Sequence, residues 1–242
     1  MGGSMGVLQA LKGSKYKVID GHPHVTDFLQ LTDGLNKCIK YMNKANMEYA
    51  VIFGLPVSKI QASWEKQSPG YYLGDNSKCC YYNAVDFTVA HEYTALKEED
   101  RKRLFPLIEG FNPTDKFAYT HIERMIKYFS NIWRGIGKIL FYHDDLANLT
   151  YGDLPRANHP GMDSIYDLCV DPDMPICIHQ NVISVGNCTY PQWLHELEEV
   201  LYFFILLFCI NYSVFCLTVL KLFYQLSLGR SLLSKAKNNS WI

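Results

Sequence analysis

The chain has no surplus of either charge. Its 242 residues carry 23 Lys and Arg against 24 Asp and Glu, a formal net charge of −1. Without a basic excess there is no electrostatic case for nucleic acid as a partner. No C-x-x-C pair occurs either. The eight cysteines, Cys38, Cys79, Cys80, Cys169, Cys177, Cys188, Cys209 and Cys216, show no small-domain disulfide framework. They read as reduced, partly buried thiols of a cytosolic protein. Met1 to Ser14 lacks a long apolar run, so no cleaved signal peptide is expected there. Met1-Gly2 opens a myristoylation pattern that Gly6 breaks, because Ser or Thr is wanted at that place. The sequons at Asn148, Asn187, Asn211 and Asn238 then read as chance.

What is present is a rhythm. Tyr16–Asp20 is a short β-branched run that turns polar at Gly21, the pattern of a buried strand ending in a loop. Leu31, Leu35, Ile39 and Met42 follow at helical spacing within Leu31–Asn46. Tyr49–Phe53 is a second strand, closed by Gly54, and Tyr82–Leu96 a second helix. Between them, Pro56–Cys80 is aromatic and polar without a period, and it reads as a long functional or mobile loop. Leu104–Ile108, Gly135–Phe141 and Pro175–His179 continue as strands three to five. Phe117–Phe129 and Asp163–Val170 are the helices between them, and another helix starts near Pro191. Alternation with apolar strands predicts an α/β fold with a parallel sheet covered by helices. Five units fit a barrel in progress or a doubly wound sheet, and periodicity does not separate the two.

From Val200 the character changes. Val200–Leu220 is apolar except for Asn211, Ser213 and Thr218, and neither Gly nor Pro breaks it. Its length of about 20 residues predicts one continuous helix able to cross a membrane. Lys221, Arg230, Lys235 and Lys237 follow as a basic flank. Residues 1–199 and 200–242 are therefore read as a β/α domain and a hydrophobic tail of different origin. A five-strand sheet is expected to leave its last edge unpaired.

The residues that point to chemistry lie at strand ends. In Asp20-Gly21-His22-Pro23-His24, residues two apart share a face of extended chain, so both imidazoles can meet one metal ion. His179 ends the fifth strand and makes a natural third ligand. Three histidines suit Zn²⁺ with water at an open position, where the ion lowers the water's pKa and polarises a carbonyl. Asp144 and Asp145, after the fourth strand, are the candidates for a catalytic base beside that metal. Trp64, Tyr71 and Tyr72 either close over a ligand or pack within their own loop. His91, His121, His159 and His195 read as structural.

The H-x-H after strand one, the His ending strand five and the β/α rhythm resemble the amidohydrolase superfamily, closest to its amidohydrolase-related branch. Asp20–Val25, Phe111–Asp115, Gly135-Ile136-Gly137 and Pro191–Glu199 carry the same likeness. The resemblance implies a partial TIM-type (β/α)8 barrel and a cytoplasmic, metal-dependent hydrolase or non-oxidative decarboxylase of small carbonyl or carboxylate compounds. It implies His22, His24 and His179 as metal ligands. The family takes a further His after strand six and an Asp base after strand eight, and neither can be placed here. After Gly-x-Gly relatives often carry an acidic residue, and here Lys138 stands there. A carbamylated lysine bridges two metals in some superfamily members, but the plainer reading is a lysine at a strand end or facing solvent. The expectation is thus a hydrolase by ancestry with impaired catalysis. The alternative is a non-enzymatic, membrane-anchored or aberrantly spliced fragment.

Overall fold

Buried runs of β-branched and apolar residues set the strands, and amphipathic stretches set the helices that cover them. The computed structural model describes residues 16–170, 174–183, 191–203, 207–211 and 214–218. In chain order the strands are β1 (Val18–Asp20), β2 (Met47–Ile52), β3 (Val57–Lys59), β4 (Cys79–Tyr81), β5 (Leu104–Ile108), β6 (Gly135–Leu140), β7 (Ile176–Gln180), β8 (Leu207–Asn211) and β9 (Val214–Thr218). The helices are α1 (Leu35–Lys44), α2 (Val85–Thr94), α3 (Glu98–Arg101), α4 (Ala118–Tyr128), α5 (Asp163–Val170) and α6 (Leu194–Phe203).

The main sheet runs in the order β1-β2-β5-β6-β7-β9-β8. Its first five strands pair in parallel and curl as half of a barrel. Every residue of β6 and β7 is buried, as a strand covered on both faces requires. Helix α1 turns Leu35, Ile39 and Met42 inward, and α4 turns in Ala118, His121, Ile122 and Met125. All of these but His121 join Ile52, Ile108, Ile136 and Ile178 in one core. The expected α/β alternation with a parallel sheet is therefore present, and the C-terminal ends of its strands share one rim.

Two expectations are corrected. The segment Pro56–Cys80 is not a structureless loop, because β3 and β4 pair antiparallel at its two ends. Between them Lys59, with a fully buried side chain, donates to the carbonyls of Gly70 and Tyr72 and pairs with Asp75 at 2.7 Å. That ties the loop down while Trp64, Tyr71 and Tyr72 stay exposed. The second correction concerns Val200–Leu220. Helix α6 ends at Phe203, and the described residues beyond it are strands, with β9 antiparallel to β7 and β8 antiparallel to β9. The long hydrophobic helix is absent among the described residues, none of whose helices is long and apolar enough to cross a membrane. An apolar run without a period fits a buried strand as well as a helix, and this one is rich in aromatic and β-branched residues. The edge of β7, expected open, is covered by β9 through His179↔Cys216 and its neighbours. Met1–Ser14, the sequons at Asn187 and Asn238 and the basic flank from Lys221 lie outside the described residues.

Candidate metal centre

His22 and His24 are set by the junction of β1 with β2. Asp20 ends β1 and its Oδ1 accepts the His22 backbone N–H at 2.8 Å, which shapes the turn. Beyond the turn His24 bridges to Phe53 in parallel, and Val25 N–H donates to the Phe53 carbonyl at 2.7 Å. The His24 ring then donates from Nδ1 to the Gly54 carbonyl at 2.6 Å. That bond fixes the tautomer and leaves Nε2 as an acceptor, the outer contact that commonly orients a metal-binding histidine. Desolvation by the surrounding protein, then the charge of Lys138, pushes the His24 pKa well below the usual imidazole range, although the residue keeps an exposed side. Phe53, wholly buried, meets both imidazoles edge-on, at 5.4 Å from His22 and 4.9 Å from His24.

Both Nε2 atoms face one nitrogen. Lys138 Nζ lies 2.9 Å from His22 Nε2 and 3.0 Å from His24 Nε2. The lysine is buried at 4 % exposure, contrary to the expectation of a solvent-facing strand end. A bulge aims it: Ile136 pairs with Ile176 and Ile139 with Ile178, so β6 carries one more residue than β7 between the two pairs. Bulges of this kind re-aim side chains next to sites. Gly137 makes the bulge possible, with φ +117 and a virtual Cβ only 2.2 Å from the Cys177 carbonyl oxygen. Cys177 is a core residue, as expected.

His179 arrives from the end of β7. Its ring centroid is 6.1 Å from that of His22, and the His22 and His24 centroids are 5.3 Å apart. The three histidines therefore converge, as their strand-end positions predict. His179 is buried, and neither Nδ1 nor Nε2 has a hydrogen-bond partner. Burial pushes its pKa down, with Lys138 and His143 adding to the effect, so the ring is neutral. A buried imidazole with both nitrogens unpaired is costly and points to an absent partner. His143 stacks on it at 4.9 Å. Of the two candidate bases, Asp144 is half-buried and Asp145 exposed, and the backbone N–H of Asp145 donates to His143 Nδ1 at 3.2 Å.

Glu109 is the residue that the sequence reading missed. It follows β5 directly, is 1 % exposed, and has no hydrogen-bond partner on either carboxylate oxygen. Burial raises its pKa well above the carboxylate range, while the charge of Lys138 opposes that rise. Its backbone is fastened by Asp86 of α2. The Asp86 carboxylate accepts N–H of Glu109 at 3.0 Å and of Gly110 at 2.9 Å. His121 of α4 donates from Nε2 to the same carboxylate at 2.7 Å. His121, which lies in a helix as expected, thus belongs to a buried pair with Asp86 that fastens the Glu109 turn. The available signal was Glu109-Gly110 standing at the end of an apolar strand, the position that also flags His179.

The donor set suits a borderline-soft cation. It offers three convergent imidazoles, two of them with their pKa values pushed down, and His179 has both nitrogens unpaired. As placed, however, no three His, Cys, Asp or Glu side chains among the described residues stand close enough to hold a metal ion. Lys138 Nζ is what stands between His22 and His24. The likeness to the amidohydrolase-related branch rests on the residues named above: no protein-family model, curated protein or solved structure matches the chain.

Proposed function

We propose that this chain carries a divalent-metal site of the amidohydrolase-related type, with zinc as the preferred ion, on a partial (β/α)8-type barrel. His22, His24 and His179 are its ligands. The substrate class is a small carbonyl or carboxylate compound, opened at a C–N or C–O bond or decarboxylated without oxidation. The observation that carries the reading is the convergence of three imidazoles on one strand-end rim, His179 with both nitrogens unpaired.

A bound divalent cation supplies Lewis acidity toward a carbonyl or carboxylate oxygen and lowers the pKa of water at an open position. The chain's own residues supply the rest. The Gly54 carbonyl presents His24 through Nε2. Phe53 packs edge-on against both rings and fixes their positions. Glu109, buried at the end of β5 with both carboxyl oxygens unpaired, is the group offered for proton transfer. Asp144 and Asp145 sit farther out, behind His143.

Turnover in this chain is impaired on this reading. Lys138 holds two of the three ligand nitrogens, and the strand beside β7 runs antiparallel, where the resemblance implies a sixth parallel strand carrying another histidine. The same two observations favour the alternative of a non-enzymatic product. The test is an assay of zinc-supplemented protein against amides, lactones and aromatic carboxylates, with His22→Ala as control. Slow turnover lost in the control is expected. Robust turnover, at rates of about 1 s⁻¹ or more, would refute the impairment. Turnover indifferent to His22→Ala would refute the site.

A further inference from the structure

We propose that Lys138 is the resident cation of this site, and that metal binds His22 and His24 only when its ammonium group is displaced. The proposal rests on the metal reading above and adds a residue that sets the site's metal affinity.

The geometry is one of shared lone pairs. An imidazole Nε2 has a single lone pair, which can accept a hydrogen bond or bind a metal, not both. His24 has no second choice, because its Nδ1 proton is given to Gly54. Lys138 Nζ meets the Nε2 atoms of His22 and His24 at 2.9 and 3.0 Å, the distances of N–H donation. Zinc would need the same two nitrogens at about 2.0–2.1 Å. The two occupants therefore exclude one another.

The lysine is also not free to wait elsewhere at no cost. It is buried, its nitrogen lies 5.9 Å from the Phe53 ring centre, and Gly137 pins its backbone in the bulge against Cys177. The fit is nevertheless incomplete. His179 keeps both nitrogens unpaired while Lys138 serves the other two rings. An ammonium thus leaves His179 unserved, whereas a cation held by all three rings would also engage one of its nitrogens. Removing the ammonium frees two oriented imidazoles and also removes a like charge from beside a bound dication.

The experiment is zinc titration by calorimetry, with metal content by elemental analysis and the zinc-induced rise in melting temperature as further readouts. Full-length wild type is compared with Lys138→Met, Lys138→Gln and Lys138→Met/His22→Ala. Methionine fills the same buried space without charge. Glutamine keeps a polar head should methionine fail to fold. The expected result is at least about tenfold tighter zinc binding in either single variant, a larger melting shift, and loss of both in the double variant. Equal, His22-dependent affinity in wild type and single variants would overturn the competition while leaving the metal site standing. Weaker binding in both single variants would overturn it as well, making Lys138 a support of the site. Absence of zinc binding in all proteins would overturn the proposal together with the metal reading.

Discussion

Lys138 Nζ lies 3.0 Å from Nε2 of His24, on a ring whose Nδ1 already donates to the Gly54 carbonyl. The lysine reaches this point from β6 and the histidine from beyond β1, so the contact ties strands that are not neighbours in the sheet. Removing the imidazole strips a buried ammonium of one acceptor. His24→Ala is expected to cost about 1–3 kcal/mol in the metal-free protein, read by urea unfolding. Because the loss comes from the stranded lysine, the cost should be smaller in a Lys138→Met background. Equal costs in both backgrounds would show that the two residues act independently.

The carboxylate of Asp86 holds the turn that presents Glu109. It accepts two backbone N–H groups and the His121 ring proton, all buried. Asp86→Ala is expected to destabilise the fold by about 3 kcal/mol or more, because it leaves two buried backbone N–H groups and a ring N–H without their acceptor. Asp86→Asn keeps one oxygen as an acceptor and should cost less. Chemical denaturation of the two variants checks the order.

Gly137 is required by both its backbone and its neighbour. At φ +117 a side chain is strained, and a Cβ would run into the backbone carbonyl of Cys177, a buried residue of β7. Gly137→Ala should cost about 3 kcal/mol or more. It should also disturb the aim of Lys138. A thermal melt within a few degrees of wild type would contradict this account of the bulge.

The Lys59–Asp75 pair gives the long loop a pH-dependent anchor. The Lys59 ammonium, helped by the N–H groups of Gly70 and Ser77, holds the Asp75 carboxyl well below the usual carboxylate range. A depressed folded-state pKa stabilises the fold above the unfolded value, about 3.9. That contribution is lost as the pH falls below this value toward the folded one. Asp75→Asn should therefore lower the melting temperature at about pH 7, and by progressively less as the pH falls through about 3 toward the folded-state value. A gap that does not shrink on acidification would contradict the anchor.

The first five strands could be read from the chain because each is a short apolar run closed by Gly, Pro or a polar turn. Leu104–Ile108 and Asp163–Val170 fall at the bounds that their patterns predict. The convergence of His22, His24 and His179 followed from their placement at C-terminal strand ends. Lys138 could not be placed, because its direction depends on a bulge, and an added residue in one strand leaves no mark on hydrophobic periodicity. Glu109 was hidden for a related reason, since its burial comes from elements on both sides of β5. Val200–Leu220 is long enough for a membrane-crossing helix, yet its Phe, Ile, Tyr and Val content favours strands, and length alone does not separate the two.

The central claim is that His22, His24 and His179 form one cation site, and zinc stoichiometry tests it most directly. Full-length protein is saturated with zinc, dialysed, and its metal measured by elemental analysis, beside His22→Ala, His24→Ala and His179→Ala. The account predicts about one zinc ion per chain at saturation, bound at least about tenfold more weakly in each of the three variants. Zinc held equally well by all three variants, or none bound by wild type at saturating metal, would contradict it.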